Sequence, residues 1–183
     1  MTKMFLRFFT IADYEEEEQW LRQMHKSGWK LTKMTPPCFF TFESCTPQDV
    51  IYRLDYRNST QSPEYMQMIS DFGWEYCAHC VGWLYFRKPA DAADSEADGE
   101  LFSDDASRAD MIKHIIKTRY LPLCIIFIGG LCGNLSNIFR TMSLGIAGHI
   151  GGILFCMLFL IYVFLLTYCG TKLRRIKDKY QTK

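Results

Sequence analysis

The sequence lacks the local signatures of the common catalytic classes. It has no Gly-rich phosphate loop, no dinucleotide-binding fingerprint and no nucleophile elbow. No second ligand pair with zinc spacing accompanies Cys77-Ala-His-Cys80. In a regular strand, positions three apart point to opposite faces, so these two cysteines read as ordinary strand thiols. No catalytic, cofactor or metal residue is therefore assigned. Net charge is also nearly absent: 21 Lys+Arg against 20 Asp+Glu leave +1. That balance argues against a nucleic-acid-binding protein. The opening MTKMFLRFFTIADYEEEE has no apolar h-region and no small-residue cleavage site. The N-terminal part is accordingly expected to stay in the cytosol. Of the 8 cysteines, Cys124, Cys132, Cys156 and Cys169 lie in an apolar run. Cys38, Cys45, Cys77 and Cys80 lack the spacing of a disulfide scaffold, as reduced cytosolic thiols would.

What the chain does have is that apolar run, residues 121–169, broken once near Arg140. Residues 121–139 span about 28 Å at about 1.5 Å per residue, just enough for a bilayer core. Residues 146–169 form a longer second span, and residues 170–183 a basic tail. Charge is partitioned along the chain. Residues 1–89 carry 10 basic and 11 acidic side chains, residues 90–110 carry 1 and 8, and residues 111–183 carry 10 and 1. Lys113, Lys117 and Arg119 precede the first span, the tail follows the second, and only Arg140 lies between them. The positive-inside rule then predicts a plasma-membrane hairpin with both termini cytoplasmic. Neither span holds an Asp, Glu or Lys, which weighs against an ion pathway. Gly129 and Gly133 on one span, and Gly148 and Gly152 on the other, have the spacing of helix-packing faces, for the hairpin itself or a homo-oligomer. Asn137 and His149 fall at similar depth, where they read as interhelical glue.

The first 89 residues read as β-α-β-β-α-β. Residues 3–10 are an aromatic strand. Asp13 and Glu16 stand at capping-box positions of a helix that Gly28 ends. Residues 29–43 read as an edge or bulged strand interrupted by Pro36–Pro37, and residues 49–57 alternate cleanly. Ser62, Pro63 and Gly73 bracket a second helix. Residues 74–88 make a last strand with a bulge at Gly82. The pattern repeats: Trp20-Leu21…Gly28-Trp29 is echoed by Tyr65-Met66…Gly73-Trp74, 45 residues on. This order predicts an α+β, ferredoxin-like βαββαβ cytoplasmic domain with one four-stranded sheet. Residues 90–105 read as a flexible acidic linker, and residues 106–120 as a juxtamembrane helix.

On that sheet the alternation predicts an open face carrying Phe5, Arg7, Phe9, Arg53, Asp55, Trp83 and Tyr85. Aromatics mixed with arginines suit a partner-binding surface better than a nucleic-acid platform, given the neutral domain. Glu17 falls on the buried side of the first helix and reads as a carboxylate paired with an arginine.

Taken as an ordered set, Glu16-Glu17 with Trp20-Leu21, Gly28-Trp29-x-Leu31, Tyr52-Arg53-Leu54-Asp55-Tyr56, Gly73-Trp74-Glu75, Trp83-x-Tyr85-Phe86-Arg87-Lys88 and Glu100-Leu101-Phe102-Ser103-Asp104 resemble the bacterial domain-of-unknown-function family 2812 (DUF2812). The resemblance covers about residues 3–110. It implies a Gram-positive membrane protein often associated with PadR-type transcriptional repressors, and it brings no activity. The expected function is a non-enzymatic, membrane-anchored regulator or sensor that touches membrane lipids and binds a protein partner or small ligand. The alternative is a transport or envelope-stress component that works by oligomerising its hairpin.

Overall fold

The structure, a computed structural model, describes residues 1–57, 62–92, 99–101, 105–142 and 146–181. Contacts divide it into two units, Met1–Met111 and Ile112–Lys183.

The first unit is α+β, but it does not hold one four-stranded sheet. It contains β1 (Thr2–Leu6), α1 (Tyr14–Lys26), β2 (Trp29–Thr35), β3 (Phe39–Ser44), β4 (Val50–Tyr56), α2 (Pro63–Asp71), β5 (Glu75–Cys80) and β6 (Trp83–Pro89). Two three-stranded antiparallel sheets result, ordered β1-β3-β2 and β4-β6-β5. The repeat is therefore βαββ, twice over, and the ferredoxin-like topology gives way to it. The reason is local. Each long strand expected from the sequence folds back on itself as a hairpin. Pro36 and Pro37, joined by a cis peptide, interrupt the first between β2 and β3. Val81 (φ 47°) and Gly82 (φ 84°) both adopt left-handed backbone between paired Cys80 and Trp83. Two such residues make the tight turn whose twist matches a hairpin.

Helix α1 lies against both β2 and β4, and the two sheets adjoin along β2 and β5. On one side Trp20 packs edge-on against Phe40 and Phe42, with ring centroids 4.9 and 5.6 Å away. Leu21 is fully buried. Sheet β4-β6-β5 is covered on both faces. Ile51, Leu84 and Phe86 form one core with Ile69 and Trp74 from α2 and its end. Tyr52, Leu54 and Tyr85 occupy the other face, toward α1. Ser62 caps α2 as its sequence predicts, accepting the Tyr65 N–H at 3.2 Å, and Lys88 closes the far end on the Phe72 carbonyl at 3.2 Å. Asp13 differs from expectation. Its carboxylate makes no cap bond to α1 and instead accepts the Thr10 N–H and hydroxyl at 2.9 and 2.6 Å.

After β6 come a short 3-10 turn, Ala90–Ala92, then α3 (Asp105–Ile115), a π-helical turn (Ile116–Tyr120), α4 (Leu121–Met142) and α5 (Ile146–Gln181). Two helical stretches, Ser107–Leu131 and His149–Tyr180, are long and apolar enough to cross a membrane. The basic residues from Lys172 to Lys179 continue α5 in helical form. In the second unit α4 meets α5 through Phe127, stacked at 4.6 Å on Tyr162 and 5.3 Å on Phe159. The Tyr162 hydroxyl donates to the Leu123 carbonyl at 3.4 Å. Gly129 has open space where a Cβ would stand, and Gly152 is buried. Gly133 and Gly148 belong to α4 and α5. Their surroundings, and the side chain of Asn137, lie outside the described residues, as do residues 93–98, 102–104 and 143–145.

The β5–β6 turn is tight at Gly82, where a Cβ would stand 3.0 Å from the Tyr56 ring. Gly82→Ala is expected to destabilise the first unit by about 1–2 kcal/mol through its left-handed backbone alone. Denaturant unfolding of the purified chain measures this, and an unchanged midpoint would refute the turn.

Candidate functional site

Helix α1 places two adjacent carboxylates inside the protein: Glu17 is 7% and Glu18 9% exposed. Neighbouring helical positions are about 100° apart, so the two reach different strands. Glu17 Oε1 accepts the Tyr85 hydroxyl from β6 at 2.7 Å. The expected arginine is replaced by a phenol. Glu18 turns to β4, an edge strand whose outward N–H groups have no sheet partner. Its Oε1 accepts the Leu54 N–H at 2.8 Å. Two residues on, the Tyr56 N–H donates to Met111 Sδ at 3.4 Å. A side chain of α1 and one of α3 thus cap the same open edge.

Arg53 joins these two helices. Its Nη1 lies 3.4 Å from Glu18 Oε2 and donates to the Tyr52 carbonyl at 3.0 Å. Its Nε and Nη2 fork onto Glu100 at 3.3 and 3.0 Å. Arg108 of α3 donates to the same Glu100 carboxylate. The order Glu18–Arg53–Glu100–Arg108 alternates in sign and is mostly buried, so each member has an opposite neighbour. Leu101 beside it packs on the α2 core. Glu100 and Leu101 of the acidic segment are therefore held against the domain.

Burial dominates the acid chemistry here. It pushes Glu17 up to about 7, against the Tyr85 hydrogen bond and with help from the Asp13 charge. It also pushes Glu18 up to about 7, against the Arg53 charge and the Leu54 N–H. Burial, then the Glu17 charge, raises the Tyr85 phenol far above its ordinary value. A second polar cluster lies further along α1. His25 Nδ1 is 2.8 Å from the Tyr52 hydroxyl, which also accepts the Leu31 N–H at 3.4 Å. Burial, then Arg87, holds His25 below its usual value. Arg87 forks onto Glu75 at 2.8 and 2.5 Å.

The seven residues read as one open face are distributed over three environments. Phe5 packs edge-on against Phe42 at 5.5 Å, and Arg7 lies over the Phe9 and Trp20 rings at 5.1 and 4.9 Å. Arg53 and Asp55 sit on the opposite face of β4 from Trp83 and Tyr85, whose β4 partners are Tyr56 and Leu54. Asp55 is 2% exposed and accepts Arg57 Nε and the Tyr65 hydroxyl at 2.6 and 2.7 Å. Tyr85 is 1% exposed. The reason is the topology: alternation was carried across strands that belong to two sheets. Cys77 also differs from its reading, because a bulge between Tyr76 and Ala78 breaks the strict alternation. Cys77 stands beside Arg87, and burial pushes its thiol up to about 12, an inert state. Among the described residues, no group of three or more His, Cys, Asp or Glu could hold a metal ion. Sequence places Met111 only on the apolar face of the helix over residues 106–120, and it gives Glu18, Glu100 and Arg108 no partner. The only signal was the Glu100-Leu101 pair within the family-like motif set.

The fold and site define a class: a duplicated βαββ domain with two buried acids on its first helix, and with an edge strand joined to α3 through Arg53, Glu100, Arg108 and Met111. The family described as Protein of unknown function (DUF2812) matches residues 13–126. The chain belongs to that family, and the matched region runs from the start of α1 into α4. No curated protein and no solved structure matches the chain.

The raised carboxyls fix the sign of a pH dependence. A carboxyl held at about 7 when folded and 4.5 when unfolded favours the folded state most below about pH 4.5. That contribution is lost as pH rises through about 7. Thermal melting of the chain should therefore weaken between about pH 5 and pH 8. Glu17→Gln, which keeps an acceptor for Tyr85, should flatten the slope and stabilise by on the order of 1–3 kcal/mol at about pH 8. Parallel slopes for the two proteins would sink this assignment.

Proposed function

We propose that the chain is a membrane-anchored regulatory or sensor protein, non-enzymatic, whose first unit binds a protein partner or small ligand on the cytoplasmic side. In this reading α4 and α5 form a hairpin across the plasma membrane, with both termini inside. The observation that carries it is the docking of α3 onto β4 through Arg53, Glu100, Arg108 and Met111. Had the segment before the apolar helices been a plain tether, an occupied domain could not bias it. Here the same arginine that faces Glu18 inside the domain holds Glu100 outside the sheet. Binding that moves α1 or β4 changes the contacts of α3, which supplies the differential interaction that a sensor requires. The family resemblance adds a bacterial setting and makes a PadR-type repressor the first partner to test.

Tagged full-length chain in native membranes tests this directly. It should remain in the pellet through alkaline carbonate washing and cross-link to a discrete partner. Arg53→Ala should weaken that cross-link several-fold while leaving the protein in the membrane. Release by carbonate would remove the anchor. If bulky residues at Gly129 and Gly152 abolished the phenotype while partner binding persisted, hairpin oligomerisation would be the better reading.

A further inference from the structure

We propose that a cavity in the second unit, between the π-helical turn and α5, is a binding site for the phosphate headgroup of an anionic phospholipid, held by Arg174. The proposal rests on the membrane-anchored reading above. The cavity measures about 360 Å³ and is lined by Ile116, Tyr120, Thr167, Thr171, Leu173 and Arg174, with Gly170 at its wall. It sits where α5 changes character. Up to Leu166 the helix is apolar, and from Lys172 onward it carries Arg174, Arg175, Lys177 and Lys179. Lys117 and Arg119, outside the lining, immediately precede the first apolar stretch in sequence. In a bilayer this level is the headgroup region, where basic residues meet anionic lipid.

The lining decides the sign of the ligand. Thr167 and Thr171 commit their hydroxyl protons to helix carbonyls of Val163 and Thr167, at 2.9 and 2.8 Å. The Tyr120 hydroxyl donates to the Leu166 carbonyl at 3.2 Å. The Arg174 guanidinium is the one charged group of the lining, and it matches a phosphate diester in shape and charge. Ile116 and Leu173 supply an apolar flank suited to the glycerol and acyl end. The only acidic residue of 112–183 is Asp178, which is not part of the lining. Gly170 keeps the site open. A Cβ there would overlap the Tyr120 hydroxyl, so the wall depends on glycine at that point. The π-helical turn, a device often found at functional sites, presents Ile116 and Tyr120 together.

Full-length chain reconstituted in bilayers of phosphatidylcholine with phosphatidylglycerol, then released gently for native mass spectrometry, tests the site. Wild type should retain phosphatidylglycerol several-fold over phosphatidylcholine. Arg174→Gln should lose that preference, whereas Arg175→Gln, with the same charge change outside the lining, should keep it. Gly170→Ala should also lower retention, with no change in charge. Equal losses from both arginine variants, or no lipid preference in wild type, would overturn the proposal in favour of diffuse attraction. Displacement of the lipid by inorganic phosphate, with no headgroup selectivity, would make this a free-anion site and overturn the lipid assignment. Release of the protein by carbonate would instead mark failure of the anchoring reading.

Discussion

Helix α1 is the element on which both sheets are built. It is wedged between β1-β3-β2, met by Trp20, and β4-β6-β5, met by Glu17, Glu18 and His25. A helix exposed on one side can leave its polar face in water. Here Glu16, Gln19, Gln23 and Lys26 of α1 do face water, but Glu17, Glu18 and His25 point inward and need internal partners. Glu17 takes the Tyr85 phenol, Glu18 a strand-edge N–H and Arg53, and His25 the Tyr52 hydroxyl. The remaining order of the first unit follows from those demands. The edge of β4 is closed because Glu18 and Met111 satisfy it, and α3 is docked because Arg53 needs Glu100 on its other side.

Much of the local structure is legible in the chain. Gly28 and Gly73 stop helices with left-handed backbone, φ 84° and 80°, Ser62 caps, and the two halves echo each other at the helix-to-strand junctions. What the chain does not announce is where a run of β-forming residues turns back. Pro36–Pro37 and Val81–Gly82 were compatible with either a bulge or a hairpin. Only the register, Cys80 opposite Trp83 and Thr35 opposite Phe39, decides it. That choice changes every conclusion drawn from alternation, since a hairpin adds a strand and assigns side chains to a different sheet. The proposed surface of Phe5, Arg53 and Tyr85 dissolves for this reason.

The buried site was less legible for a different reason. Its contacts join residues far apart in the chain, such as Glu17 with Tyr85 and Arg53 with Glu100, and no local periodicity encodes such pairs. Glu17 was visible as a polar residue on an apolar stripe, but its partner was not. Glu100 was hidden by its neighbours: an acidic segment has the composition of a solvated linker, yet its Glu100 pairs with Arg53 and Arg108 and its Leu101 packs on the α2 core. The bulge at Cys77 was similarly invisible, although it decides how the Cys-x-x-Cys pair is placed on β5.

The charge order Glu18–Arg53–Glu100–Arg108 also limits how α3 can leave β4. Two acids and two bases balance, and each inner member serves two neighbours. Removing one partner leaves a poorly solvated charge unpaired, which costs more than the intact pair contributes. Partial detachment is therefore disfavoured relative to either the docked arrangement or complete release into water. Proton uptake by Glu18, whose carboxyl sits at about 7, removes one negative charge from this balance and leaves Arg53 with Glu100 as its sole anion. Arg53 would then bind Glu100 without competition, so protonation tightens the outer contact to α3 as it loosens the inner contact to α1.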